Sequence, residues 1–431
     1  MQLRIPHTTH RLGNGLTLFV HEDRRTPIVS VNLWYFVGSK DERAGRTGFA
    51  HLFEHLMFEG SLHVPKGQFD ELLENVGGTN NGSTSTDRTN YWETVPSSAL
   101  ELALHLESDR MGWFQETITQ EKLDGQRDVV KNERRQSYDN RPYGLAYETL
   151  MKTLYPVSHP YHWPVIGWMR DVEAATLTDV QTFFQTYYGP GNAALAIAGD
   201  VDRAEVVELV EKHFGEIPRV PTPARPVAPA ITLATDRYIT LEDDVHLPRL
   251  YMGWHSAALF APGDAEMDVV AEVLGTGKAA RLYSRLVHEL EIAQDVEAYQ
   301  NSGQLGSTLM VTVTAREGVG LEHVEAETRA IMAGLAQDLA DRELDRARHH
   351  IETAAVAALE SVGGFGGKAD RLNHYYFYTG DADGLARDVA RYQQLTLERV
   401  RAELRQTFEA PAVVLSVVPK GQTRLATGGE A

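Results

Sequence analysis

Cysteine is absent from all 431 residues. That excludes disulfides, thiolate metal ligands and a cysteine nucleophile, and it leaves His, Asp and Glu to hold any metal. No apolar run approaches the roughly 20 residues that cross a bilayer, so no membrane span is expected. Positive charge is scarce as well: 41 Lys and Arg stand against 60 Asp and Glu, a formal charge of −19. This argues against nucleic acid or an anionic membrane as the main partner; such acidity serves solubility first and cationic substrates second. The N-terminus, Met1-Gln2-Leu3-Arg4-Ile5-Pro6-His7, carries no hydrophobic leader. A cytoplasmic protein is expected from it, or a periplasmic one whose leader has been removed.

What is present is the composition of a folded chain, 42% apolar and 23% charged, and too long for one core. Five prolines fall in IPRVPTPARPVAPAI, Ile217 to Ile231, where they forbid helix and favour an extended connector. The expected division is 1–217, a linker at 218–231, and 232–431. The two halves echo each other at an offset of about 220 residues. Glu22-Asp23 before Pro27-Ile28-Val29-Ser30-Val31 answers to Glu242-Asp243 before Pro248-Arg249-Leu250-Tyr251-Met252. Thr176-Leu177 and Thr396-Leu397 open similar amphipathic helices, each followed by an apolar strand, Ala193 to Ala198 and Ala412 to Val418. Helical periodicity covers Ser98 to Gly112, Gln120 to Ser137 and Ala204 to Phe214, without regular βα alternation. The expected class is α+β: duplicated domains, each a mainly antiparallel sheet packed with helices.

The chemistry is concentrated in His51-Leu52-Phe53-Glu54-His55. At 100° per residue His51, Glu54, His55 and Phe58 share one helical face, and Phe49, Leu52, Phe53, Leu56 and Met57 form an apolar stripe opposite. Two imidazoles four residues apart can grip one ion, with a carboxylate between them. This is H-x-x-E-H, the inverse of H-E-x-x-H. Thr47 is the expected N-cap and Gly60 the expected stop. A catalytic zinc takes three protein ligands, so one more must come from elsewhere. Glu133 is the candidate, with Val129 and Val130 one turn before it turning that face inward. By periodicity alone it is equally a charge on a solvated helix.

Gly38-Ser39, Gly48 to Gly60, Gly77-Gly78-Thr79-Asn80-Asn81-Gly82-Ser83-Thr84 with Asp87, Thr89 and Tyr91, His159-Pro160-Tyr161 with Gly167, and Tyr187 to Asn192 through Gly199-Asp200 occur in order. Together they resemble the pitrilysin/insulinase family of zinc peptidases (M16), in its shorter M16B, mitochondrial-processing-peptidase-like branch, closely in the N-terminal half and more loosely after it. The resemblance implies tandem LuxS/mitochondrial-processing-peptidase-like domains. It also implies one zinc ion per chain held by His51, His55 and Glu133, with Glu54 as general base. It implies a substrate peptide added as a strand along Gly77 to Tyr91, touching Asn81, Gly82, Ser83 and Thr84. The family usually has alanine where this chain has Gly82. It usually has glutamate seven positions before the third ligand, where this chain has Gln126 in a supporting role.

One departure bears on assembly. Self-sufficient relatives carry an arginine and, seven residues later, a tyrosine that hold the substrate. The matching positions here are Val287 and Gln294, and neither side chain can do that; Arg281 and Tyr283 are the alternative donors. The expectation is therefore a zinc endopeptidase cutting peptides or unfolded segments inside a chamber. Its partner would be a related M16B subunit that lacks H-x-x-E-H and supplies the Arg/Tyr pair. The alternatives are a homodimeric peptidase and a non-catalytic peptide-binding or core scaffold subunit. Gly363-Gly364-Phe365-Gly366-Gly367-Lys368-Ala369 lacks the register of a phosphate loop, with Val362 and Ala369 at the wrong places, and reads as a flexible connector. His349-His350 and His255 read as ordinary surface or core histidines.

Overall fold

Strands form where apolar and β-branched residues alternate or run together. Eleven of them, among the described residues, assemble into two sheets in a computed structural model that describes residues 3–229 and 231–428. Met1 and Gln2 of the expected first domain, Ala230 of the expected linker and residues 429–431 of the expected second domain lie outside the described residues. No helix or strand forms between 218 and 229.

The first sheet contains β1 (Thr8–Arg11), β2 (Thr17–Glu22), β3 (Ile28–Tyr35), β4 (Thr79–Thr84), β5 (Thr89–Pro96) and β6 (Ala193–Gly199). Their order is β1-β2-β6-β3-β5-β4, antiparallel except for β2 against β6. The second sheet contains β7 (Arg237–Asp243), β8 (Arg249–Ser256), β9 (Ala293–Asn301), β10 (Ser307–Ala315) and β11 (Val413–Pro419), in the order β7-β11-β8-β10-β9. Here β7 and β11 are the parallel pair. Strands β2, β6, β3, β5 and β4 thus have counterparts β7, β11, β8, β10 and β9 in the same order and sense, which is the duplication read from the repeat. The α+β class with mainly antiparallel sheets holds.

Packing divides the chain into two units that are not contiguous in sequence. The first takes residues up to Asn132, Trp163–Pro226 and Ala354–Ala386; the second takes Glu133–His162, Val227–Thr353 and residues from Arg387. Helix Lys368–Thr379 belongs to the first unit and packs on β6 and β3, and helix Ala146–Leu154 belongs to the second and packs on β11 and β8. These two helices stand at equivalent places in the repeats. Division by sequence order at 217 and 232 therefore differs from division by packing, because each half's sheet needs its second face covered and takes one helix from the other half.

In the second unit Leu150, Met151 and Leu154 pack with Val413, Leu415 and Val417 on one face. Val414 and Val418 turn to the other, among Val270, Leu335 and Leu404. Such strands are apolar on both faces, which is why β6 and β11 read as continuous runs and not as alternation.

Candidate metal centre

Helix Phe49–Leu56 forms for the reason its sequence suggests. Phe49, Leu52, Phe53 and Leu56 are buried, while His51, Glu54, His55 and Phe58 are half-buried on the other side. Phe53 stacks on Tyr188 at 5.0 Å and lies against Phe183, Phe184 and Phe114, so the helix is anchored by aromatic packing on the face away from the histidines.

Its N-terminus differs from expectation. The N-cap is Gly48, with φ +86°, and Thr47 instead donates to Asp171 Oδ2 at 2.7 Å. The buried Glu42 accepts from the Gly48 and Ala50 N–H groups at 2.8 Å each and takes the capping role. Burial holds its carboxyl well above the usual carboxylate range against the pull of those N–H groups. A Cβ on Gly167 would stand 2.3 Å from Gly48 Cα, so these two glycines require each other. Gly60 is not the stop: the helix ends at Leu56, and Gly60 turns the following loop at φ +87°.

Glu133 lies near the end of helix Gln120–Arg134. The helix is unbroken from Gln120 to Arg134. Ligand atoms of His51, His55 and Glu133 lie within 4.8 Å of one another. The imidazole centroids of His51 and His55 are 4.8 Å apart. A zinc ion with bonds of about 2.1 Å would take tetrahedral donors about 3.4 Å apart, which a group this close can supply. Two neutral imidazoles and a carboxylate are also the right donor types for zinc. The residues fit the metal. Val130 is fully buried beneath Glu133, as expected, but Val129 is 43% exposed and plays no part in turning that face inward.

Glu54 Oε2 accepts from Thr84 Oγ1 at 2.6 Å, so the hydroxyl of the edge strand orients the carboxylate. Gly82 also belongs to this wall: a Cβ there would stand 3.3 Å from Glu54 Cγ and 3.2 Å from Tyr91 Cδ1. Among the described residues strand β4 pairs only with β5 and forms the sheet edge. Asn81 Oδ1 accepts from the Gly82 N–H at 2.8 Å, and Ser83 Oγ donates to Asn90 Oδ1 at 2.6 Å. Behind the edge, Tyr91 lies under the buried Arg110 guanidinium at 4.1 Å. Arg110 is bonded to Glu107 and to Glu93, whose carboxyl is pushed well up by burial and by Glu107 beside it.

Gln126 does not reach the three ligands by any hydrogen bond of its own. Its amide donates to Glu59 Oε1 at 2.7 Å, and Lys66 Nζ pairs with Glu59 Oε2, also at 2.7 Å. Glu59 is 7% exposed and was missed by sequence reasoning. Its buried carboxylate explains the amide at 126, since a glutamate there would bring two carboxylates together.

In the second unit, Val287 packs against the core and Gln294 is exposed on β9. Arg281 is engaged by Glu343 at 2.7 Å and by Asp338 at 2.5 Å. The glycine-rich segment before helix Lys368–Thr379 is not a flexible connector. Gly366 N donates to Asp370 Oδ2 at 2.8 Å, and Lys368 forms a buried ion pair with Asp23. His255 lies against Tyr155, and His350 pairs with Glu272 at the surface. Among the described residues no helix is long and apolar enough to cross a membrane.

Residues 18–160 match the sequence profile described as Insulinase (Peptidase family M16), and residues 174–351 match the one described as Peptidase M16 inactive domain. Zinc protease PqqE of Helicobacter pylori is 31% identical over 360 residues, covering 82% of this chain and 80% of the relative. The crystal structure of a protease from Helicobacter pylori superposes with a TM-score of 0.89 at 28% identity, covering 96% of this chain and all of that one. A peptidase M16 inactive domain from Pseudomonas fluorescens shares the fold, with a TM-score of 0.84 at 20% identity over 96% of this chain and 98% of that one. The motif helix, the convergent glutamate, the duplicated sheets and these likenesses lead to one assignment: the chain belongs to peptidase family M16.

Proposed function

We propose that the chain is the zinc-bearing subunit of an endopeptidase that cuts peptides or unfolded segments, with His51, His55 and Glu133 holding the ion. The observation that carries this reading is the grouping of those three ligand atoms on two separate helices, beside a fourth residue, Glu54, of the right chemistry. When bound, zinc supplies Lewis acidity that activates water and polarises a peptide carbonyl. Glu54 takes the proton of the attacking water and delivers it to the leaving amine, while Thr84 keeps the carboxylate oriented. Strand β4 receives the peptide backbone at its free edge, next to Asn81, Gly82, Ser83 and Thr84. Backbone pairing of this kind tolerates many sequences.

The stretch matched by the inactive-domain profile, 174–351, contains none of the four metal-site residues. That match supports a non-catalytic C-terminal half and leaves the catalytic assignment with the N-terminal one. Val287 and Gln294 support a second subunit that supplies the arginine and tyrosine, with a homodimer as the alternative assembly. Metal analysis and hydrolysis of unfolded peptides test the reading. One zinc per chain is expected in both the parent and Glu54→Gln, none in Glu133→Gln, and cleavage in the parent with its partner. A parent that binds peptide and zinc but never cuts would favour a peptide-binding subunit.

A further inference from the structure

The two faces of the sheet edge differ. Register places Asn81 opposite Trp92, Ser83 opposite Asn90 and Thr79 opposite Thr94, all on one face, while Gly82 pairs with Tyr91 on the face toward Glu54. The glycine-rich segment crosses the face away from Glu54. A Cβ on Gly363 would stand 2.3 Å from Thr94 Oγ1 and 2.6 Å from Ser30 Oγ, so the strap lies directly on the sheet. Two residues on, Phe365 sets its ring edge-to-face on Trp92, with centroids 5.6 Å apart, yet stays 50% exposed.

The strap is held in this position. Gly364 and Gly366 both adopt φ +75°, and Ser361 Oγ donates to the Gly363 carbonyl at 2.7 Å. Asp370 fixes Gly366 N with one oxygen, and with the other it accepts from Trp34 Nε1 at 2.8 Å and Asn90 Nδ2 at 3.1 Å. An aromatic ring is thus kept half in water by a set of polar anchors beside the free edge. On the edge strand, the short Asn81 stands opposite Trp92 in the register.

We infer that Phe365 and Trp92 form a specificity platform for large apolar side chains of the substrate peptide. This rests on the strand-addition reading above. A strand added to β4 alternates its side chains, so residues adjacent to the one facing Glu54 point to the Trp92 side. Strands are about 4.8 Å apart, and a Phe or Leu opposite Asn81 leans over that short residue onto the exposed half of the Phe365 ring. Glycine, alanine or aspartate at that peptide position gains nothing from the platform.

The test measures Kd on the full-length Glu54→Gln chain together with its partner subunit, an assembly that cannot turn over, for unfolded peptides differing only at the positions flanking the cut (Phe, Leu, Ala or Asp). Phe is expected to bind about tenfold tighter than Ala at one flanking position, within the range that apolar pockets achieve. Phe365→Ala should abolish that preference while the Ala peptide binds as before, and Phe365→Leu should restore part of it. A preference that survives Phe365→Ala, or an equal loss for all peptides with unchanged circular dichroism, overturns the platform. Binding without cleavage by the parent in the presence of its partner overturns the peptidase reading but leaves the platform standing. Failure of every peptide to bind overturns strand addition and the platform together.

Discussion

Gln126→Glu is the substitution whose outcome the geometry constrains most tightly. The Gln126 amide stands 2.7 Å from Glu59 Oε1, and Glu59 is almost wholly buried. A glutamate would place two carboxylates about 3.5 Å apart, where unit charges repel by about 5 kcal/mol at an effective dielectric of about 20. The pair can keep one proton instead. Holding a carboxyl of ordinary pKa about 4.3 protonated at pH 7 costs about 3.7 kcal/mol, which caps the penalty. Lys66 offsets part of it, but its side chain is 67% exposed and screened by solvent. A net destabilisation of about 2–3 kcal/mol at pH 7 is expected in urea denaturation.

The sign with pH follows from the same pair. Its raised carboxyl pKa makes the penalty appear above the unfolded value of about 4.3, so at pH 4.5 most of it should be gone. Glu59→Gln combined with Gln126→Glu restores one carboxylate and one amide and should recover the parent's midpoint. Gln126→Glu within about 0.5 kcal/mol of the parent at pH 7, or no recovery in the double variant, would refute the argument.

Three further outcomes are expected. Chelation should abolish peptide cleavage but leave the far-ultraviolet spectrum intact, because Phe53 and its aromatic neighbours anchor the motif helix without the metal; loss of helix on chelation would contradict this. His159, fully buried and lowered to about 4 by burial and by His255, contributes stability that is complete above its unfolded pKa of about 6.5. About 3 kcal/mol of it is lost as pH falls toward 4, and a stability–pH curve should flatten over that interval in His159→Gln. Gly82→Ala would force Glu54 and Tyr91 to give way by a few tenths of an ångström. Fluorogenic-peptide assays should show kcat reduced about tenfold, in the range of small misplacements of a catalytic group, with stability changed by less than about 1 kcal/mol; an unchanged kcat would mean the wall yields freely.

Local order was readable because it is periodic. The 3.6-residue spacing puts His51, Glu54 and His55 on one face of a single turn and a half, and no distant contact is needed to bring them together. The repeat at about 220 residues announced two similar sheets, and the short polar residues of β4 marked an edge, where no second neighbour demands an apolar face. Proximity between residues far apart in the chain was another matter. Glu133 could equally have faced solvent until its helix was laid beside the motif helix. Glu59 beside Gln126, Thr84 on Glu54, Glu42 in place of Thr47 at the helix start, and the exchange of helices Ala146–Leu154 and Lys368–Thr379 all depend on which segments pack together. Periodicity assigns a side chain to a face of its own element; the neighbour that face meets is chosen by the joint burial of the whole chain.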